Sequence, residues 1–331
     1  MMNTILKTAI FSIKIGLCAA LIWWAVETGL IVPSEIGDFI NHPIRLIIVF
    51  LLITASTVVC AIRWWLLLSA QNVDVGWRWA VGTSILSQFG GTFLPGVIGA
   101  DGIRIGMVLT KINAGRSGAV VSVFFDRLFG VIGLFILSSL FFVIELKEVL
   151  ARPDLRPIGI GAAIGTVALA LAIILMLQGG MFQERLPAVA KKALAALGSY
   201  RRQQRVLWAS LALSVLAHLL ILIAFYVFTG TGYYPMPLLP LGFAFMASLV
   251  ANFLPITPGG LGIGEVAFAY LCQIFGGTPG VPYATLFLAF RAVTAIALLL
   301  MALPVLQTVQ WPRAFEFWKR PRPTMDSQAS D

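Results

Sequence analysis

Phe93-Leu94-Pro95-Gly96-Val97-Ile98-Gly99-Ala100-Asp101-Gly102-Ile103-Arg104 is the stretch whose reading decides the fold. It lies inside an apolar run, yet it carries a helix-breaking proline, three glycines and two opposite charges. In hydrocarbon every freed backbone group and every charge needs a partner, so a lipid-facing helix has no use for that combination. A broken segment that builds a site does. The stretch has an echo at Phe253-Leu254-Pro255-Ile256-Thr257-Pro258-Gly259-Gly260-Leu261-Gly262-Ile263, where Phe, Leu, Pro, Gly, Gly and Ile recur at an offset of 160 residues.

Outward from this stretch the chain is apolar almost throughout. Of its 331 residues 59% are hydrophobic and 11% charged, with a mean hydropathy of +0.94. A soluble domain cannot hide that much apolar surface, so the chain reads as an all-α polytopic membrane protein. The net charge of +9 comes from basic residues in short loops, the pattern of membrane orientation rather than of nucleic-acid binding. Cys18, Cys60 and Cys272 all fall in apolar segments without metal-ligand spacing and read as packing residues.

Segments of about 20 apolar residues span a bilayer of about 30 Å. Six such spans are expected, at 15–32, 46–68, 117–144, 157–177, 206–229 and 282–309. The first reads as an uncleaved span, because Leu17 is too large to precede a cleavage site. Between the spans, 79–110 and 241–275 are each interrupted by one of the two motifs. Residues 1–310 then form one transmembrane domain, and 311–331 a basic, disordered cytoplasmic tail. Within the loop 178–205, Leu186 to Tyr200 has the pattern of an amphipathic surface helix.

The loop 178–205 carries six basic residues and one acid. Together with the basic amino terminus and tail it is placed in the cytoplasm. Arg78, Lys111 and Arg116 flank the first motif on both sides, so 79–110 enters and leaves on that same face. Its second arm, counted from Gly102 to Thr110, is about 14 Å of helix, half a bilayer. It reads as a re-entrant hairpin. Three spans separate the motifs, so the second hairpin dips in from the opposite face. Two opposed broken segments are the mark of an inverted-repeat transporter.

Seven ionisable residues fall where lipid is expected: Arg63, Asp101, Arg104, Asp126, Arg127, Glu265 and Arg291. Each costs about 2.5–3.5 kcal/mol or more if it faces hydrocarbon alone. Asp126, Arg127 and Arg291 lie near the midplane of spans that each follow a hairpin. Four positive and three negative charges can pair internally and still hold one anionic head group. Arg104, Arg127 and Arg291 are the candidate phosphate-binding residues, since a guanidinium grips phosphate bidentately. Gly99 and Gly259 join them, each opening a half-helix whose positive amino end points at the ligand. Asp101, Asp126 and Glu265 are the charge-pairing or proton-coupling acids.

A structural alternative stands beside each of these. Asp101 and Arg104, at i and i+3, are spaced to pair with one another alone. Arg63 beside Trp64 and Trp65 reads as an interfacial anchor. His218 reads as a neutral, hydrogen-bonded core histidine, and Glu27 as a side chain reaching the head groups. With two histidines far apart and no phosphate-binding loop or dinucleotide fingerprint, no catalytic triad, metal site or cofactor is expected.

Taken together, Arg63-Trp64, Phe93 to Arg104, Asp126-Arg127-Leu128, and Pro255 to Glu265 followed by Arg291 resemble the transmembrane region of lysylphosphatidylglycerol synthase, a flippase-like family. The resemblance covers roughly residues 45–300. It implies a bacterial inner-membrane protein, both termini cytoplasmic, that moves a polar or anionic lipid between leaflets. The full synthase adds a soluble aminoacyl-transfer domain, which this sequence lacks, so no enzymatic activity is carried over. Aminoacylated phospholipid, polyprenyl-phosphate-linked and hopanoid-type lipids all fit as cargo. The alternatives are a membrane-embedded transferase on lipid-linked substrates, or a scaffold for a separate lipid-modifying enzyme. Oligomeric state, direction of movement and energy source are not readable.

Overall fold

A computed structural model describes residues 42–93, 96–112, 115–144, 146–151, 203–230, 236–252 and 260–308, with isolated positions elsewhere. Among the described residues the chain is all-helical and strands are absent. In chain order the helices are α1 Pro43–Ala70, α2 Trp77–Phe93, α3 Gly96–Lys111, α4 Arg116–Ile144, α5 Leu146–Ala151, α6 Gln204–Thr229, α7 Leu238–Ala251, α8 Ile263–Ile274 and α9 Tyr283–Thr308. Four of them, α1, α4, α6 and α9, are long and apolar enough to cross a membrane, and α7 and α8 are shorter apolar helices. The protein is a multi-pass membrane protein. The expected spans at 15–32 and 157–177, the surface helix at 186–200 and the tail lie wholly or largely outside the described residues.

Each interrupted segment forms two helices. In the first, Gly91 of α2 lies against Ala100 of α3 and Gly90 against Ile103, so the arms run antiparallel. The fit is close. A Cβ on Gly91 would stand 2.5 Å from the Ala100 Cβ, so only glycine lets the arms meet there. The second arm corrects the sequence expectation. Helix α3 starts at Gly96, not Gly102, and its 16 residues extend about 24 Å. Gly96, Gly99 and Gly102 are all tolerated inside the helix.

Both ends of this hairpin gather at one end of the bundle. Val73 and Val75 after α1, Ala80 of α2, Val108 of α3 and Ala119 of α4 share one buried cluster with Trp64 and Leu68. The Trp65 indole donates to the Val75 carbonyl at 2.9 Å. The exposed residues Arg78, Lys111 and Arg116 stand at this end. The second segment starts at the other end of α6, where the Tyr226 hydroxyl donates to the Leu238 carbonyl.

Helices α1 and α6 form the central seam and run antiparallel. Ser56 donates to the Ala217 carbonyl at 2.9 Å, Tyr200 to the Leu67 carbonyl at 2.9 Å and Gln203 to the Ala70 carbonyl at 3.2 Å. The Arg45 guanidinium lies against Gly230. Burial pushes the Tyr200 phenol above its usual range, so it stays a neutral donor.

The packing has a reciprocal form. Helix α4 packs on α6 and α7, and α9 packs on α1 and α2. Val305 of α9 meets Gly82 of α2, and Phe141 of α4 meets Gly242 of α7. Val305 and Phe141 are 164 residues apart. The largest buried cluster runs through both halves, with Phe225, Phe245, Phe268, Phe287 and Phe290 in edge, stacked and tilted contact at its centre.

Candidate functional site

Asp126 lies well inside α4 and is 2% exposed. A carboxylate at that position is costly unless it is paired and hydrogen-bonded. Two arginines from different helices meet it. The Arg63 Nε of α1 donates to Oδ1 at 2.7 Å, and the Arg104 Nη1 of α3 donates to Oδ2 at 2.7 Å. Arg63 also donates through Nη1 to the Ser214 hydroxyl of α6 at 2.8 Å, and Ser214 donates onward to the Ser210 carbonyl at 2.7 Å. Arg104 lies over the Trp64 ring, its Cζ 4.8 Å from the centroid, a cation–π contact. The Trp64 indole in turn donates to the Ser122 hydroxyl at 3.2 Å.

The three ionic groups carry two positive charges against one negative. Arg63 and Arg104 are buried like Asp126, so water does little to offset the surplus. The Arg104 Nε has no hydrogen-bond partner among the described residues. An arginine fork with one donor spare, in a triad with one positive charge in excess, has the electrostatics of an anion site.

Two further acid–arginine pairs join the hairpins to the spans that follow them. Arg127 of α4 donates through Nε to both oxygens of Asp101 on α3, at 2.7 and 3.0 Å. Arg291 of α9 lies 3.4 Å from the Glu265 carboxylate on α8, and its Nη1 is 3.4 Å from the Asn252 Oδ1 at the end of α7. In each pair the acid precedes the arginine by 26 residues. The environments differ. Arg127 and Asp101 are 33% and 18% exposed at their side chains, whereas Glu265 is 1% exposed. Glu265 is also fixed from below: its Oε2 accepts the Gly262 N–H at 2.8 Å. Gly262 holds φ at +85°, a conformation that glycine adopts without strain.

The residues singled out from the sequence thus fall into three groups. Arg104 and Asp126 meet in the triad, Asp101 and Arg127 pair beside it, and Glu265 and Arg291 pair on the second hairpin. The i, i+3 pairing of Asp101 with Arg104 does not form. Each instead crosses to α4, because Asp126 and Arg127 are neighbours that point about 100° apart around a helix. Arg63 is not an interfacial anchor: α1 continues to Ala70 and turns Arg63 inward onto Asp126. Gly99 sits within α3 and does not open it, since that helix begins at Gly96. Gly259 lies outside the described residues, as do Leu94 and Pro95. His218 binds the Gly130 carbonyl through Nε2 at 2.9 Å, a structural contact of the kind expected for it. Sequence reasoning passed over Trp64 as a cation–π partner, Ser122, Ser214 and Asn252. Polar residues in apolar helices are the signal that marks the last three. Among the described residues no group of three His, Cys, Asp or Glu is placed to hold a metal.

The family model described as lysylphosphatidylglycerol synthase TM region matches residues 5–302. No curated protein matches the chain.

Proposed function

The chain belongs to the lysylphosphatidylglycerol synthase transmembrane-region family, and on that premise we propose that it moves a lipid with an anionic or polar head group between the leaflets of the bacterial inner membrane. The observation that carries this reading is the surplus positive charge buried at Arg63, Asp126 and Arg104. A fold gains nothing from such a surplus, because apolar side chains of similar volume pack at least as well. A ligand that brings a negative charge does.

In this reading the two halves are an inverted repeat. Helices α1 to α4 correspond to α6 to α9, the paired α1 and α6 run in opposite directions, and α2–α3 and α7–α8 are opposed re-entrant hairpins. Arg104, Arg127 and Arg291 bind the lipid phosphate, and Asp101, Asp126 and Glu265 hold those arginines between cycles. Acyl chains stay in the bilayer while the head group passes the buried charges. The basic end with Arg78, Lys111 and the start of α6 faces the cytoplasm, as do both termini.

The test is transport in liposomes. Purified protein is reconstituted with a labelled anionic lipid or a labelled zwitterionic one, and leaflet exchange is followed by quenching. The anionic lipid should cross without a change of mass, and Arg104→Gln/Arg127→Gln/Arg291→Gln should stop it. A product of altered mass without movement would replace this reading with a membrane-embedded transferase using Asp101 or Glu265 as base. Cellular function that survives the triple variant would indicate a scaffold.

A further inference from the structure

The two halves can be superposed in sequence through their acid–arginine pairs. Asp101 corresponds to Glu265 and Arg127 to Arg291 at an offset of 164. The same offset matches Ser84 with Ser248, Gln88 with Asn252, Phe89 with Phe253, Gly96 with Gly260 and Phe141 with Val305. It is about one helical turn longer than the 160 of the proline motif.

At this offset Arg104 corresponds to Phe268 and Asp126 to Phe290. Arg63 of α1 falls at this offset on Val227 of the counterpart helix α6, two residues from Phe225. These three phenylalanines touch. Phe225 meets Phe268 edge-on at 5.4 Å and Phe290 edge-on at 5.2 Å between ring centroids. All three are buried. One half therefore holds an aromatic triad where the other holds an ionic one. The second half shows that this fold packs the position with apolar rings, so the charges of the first half are not needed to build it.

We propose that the Arg63–Asp126–Arg104 triad is a site for one net negative charge carried on a phosphate, in the first instance the phosphodiester of a lipid head group that has no cation of its own, and that its aromatic counterpart binds none. This deepens the transport reading and rests on it for the lipid source. One negative charge balances the triad, and the Arg104 Nε, without a partner among the described residues, supplies a donor in addition to the Nη1 that faces Asp126. The Asp101–Arg127 pair is the entrance. It is adjacent in sequence to Asp126 and partly exposed, so Arg127 can exchange Asp101 for an incoming phosphate. The Glu265–Arg291 pair, with its buried acid tied to Gly262, is a strut that holds Arg291 in place and releases it to a phosphate less readily than Asp101 releases Arg127.

The experiment compares wild type with two variants. Arg104→Met removes the surplus charge and leaves a neutral Arg63–Asp126 pair, so it preserves the fold. Arg63→Phe/Arg104→Phe/Asp126→Phe copies the second half. Proteins from nanodiscs of mixed phosphatidylglycerol and phosphatidylcholine are examined by native mass spectrometry for retained lipid. In phosphatidylcholine-only nanodiscs, the thermal shift with inorganic phosphate is measured. Wild type should retain phosphatidylglycerol over phosphatidylcholine, and Arg104→Met should lose roughly tenfold or more of that retention. A phosphate-induced shift in wild type that Arg104→Met abolishes, without lipid retention, keeps the anion site and assigns it to free phosphate. Equal retention by wild type and folded Arg104→Met, or no response to either anion, overturns the proposal. Lipid movement undiminished in Arg104→Met removes this site and leaves transport standing. Anion binding without movement does the reverse.

Discussion

Arg127 and Arg291 stand in the same relation to their hairpins. Each lies on the span that follows, and each reaches an acid 26 residues earlier on the hairpin's second arm. Their partners are not equally held. Asp101 is 18% exposed and contacts Arg127 with both oxygens, while Glu265 is 1% exposed and also accepts a backbone N–H. Equivalent substitutions in the two pairs should therefore have unequal effects.

Asp101→Asn should cost less stability than the same change at Glu265, within about 1 kcal/mol, because its pair is partly exposed and its carboxylate accepts no backbone N–H. Glu265→Gln should cost about 1–3 kcal/mol, because a charge-assisted bond to the Gly262 N–H is weakened in a buried place. Thermal unfolding in one detergent compares the two. Equal losses would count against the strut and entrance distinction.

Asp126→Ala should be the most damaging single change in the site. It leaves Arg63 and Arg104 buried without their carboxylate, and breaking such a pair from one side costs about 3–5 kcal/mol. Arg104→Met, which leaves a balanced pair, should cost clearly less. A variant series followed by denaturation midpoint reads the order directly, and the reverse order would contradict the triad geometry.

Swapping charges across the first pair tests whether Asp101 and Arg127 act together. Asp101→Arg and Arg127→Asp alone should each lower expression and transport, and the double variant should recover part of both. The coupling expected between residues in direct contact is about 0.5–3 kcal/mol. An additive result would mean that the 2.7 Å contact is not formed in the membrane.

Gly91→Leu should splay the first hairpin. The Cβ alone meets Ala100 at 2.5 Å, and overpacking of this kind costs about 1–3 kcal/mol. Gly102→Ala, at a position with nothing within 4 Å of a new Cβ, is the matched control. Lower thermal stability of the first variant but not of the second is the expected result.

Cysteines at 78 and 111 should be labelled from one side of the membrane and a cysteine at 233 from the other. Labelling of 78 and 111 from opposite sides would overturn the packing in which Val75, Ala80, Val108 and Ala119 share one cluster.

Much of the helix plan was legible because lipid imposes it: length and apolarity locate α1, α4, α6 and α9 without reference to partners. The breaks were legible because Pro95 cannot continue a helix. Which way a charge turns was not. Arg63 beside Trp64 and Trp65 has the composition of an interfacial anchor, and only the packing of α4 against α1 shows it aimed at Asp126. The length of α3 was misjudged for a related reason. Glycine lowers helix propensity, yet Gly99 and Gly102 remain helical within α3. The aromatic triad was hidden too, since phenylalanines in an apolar sequence stand out only once the ionic triad gives them a counterpart.

The seam between α1 and α6 has a mechanical consequence. Its hydrogen bonds, at Ser56, Arg63, Leu67 and Ala70 of α1, run from the middle of that helix to its basic end. One of them is the Tyr200 hydroxyl, which donates to the Leu67 carbonyl. Rocking of one half against the other would then pivot near those links, and the opposite end would travel farther. If the protein moves lipid as proposed, a nanobody bound beside Tyr200 is expected to slow leaflet exchange without touching Arg104 or Arg127.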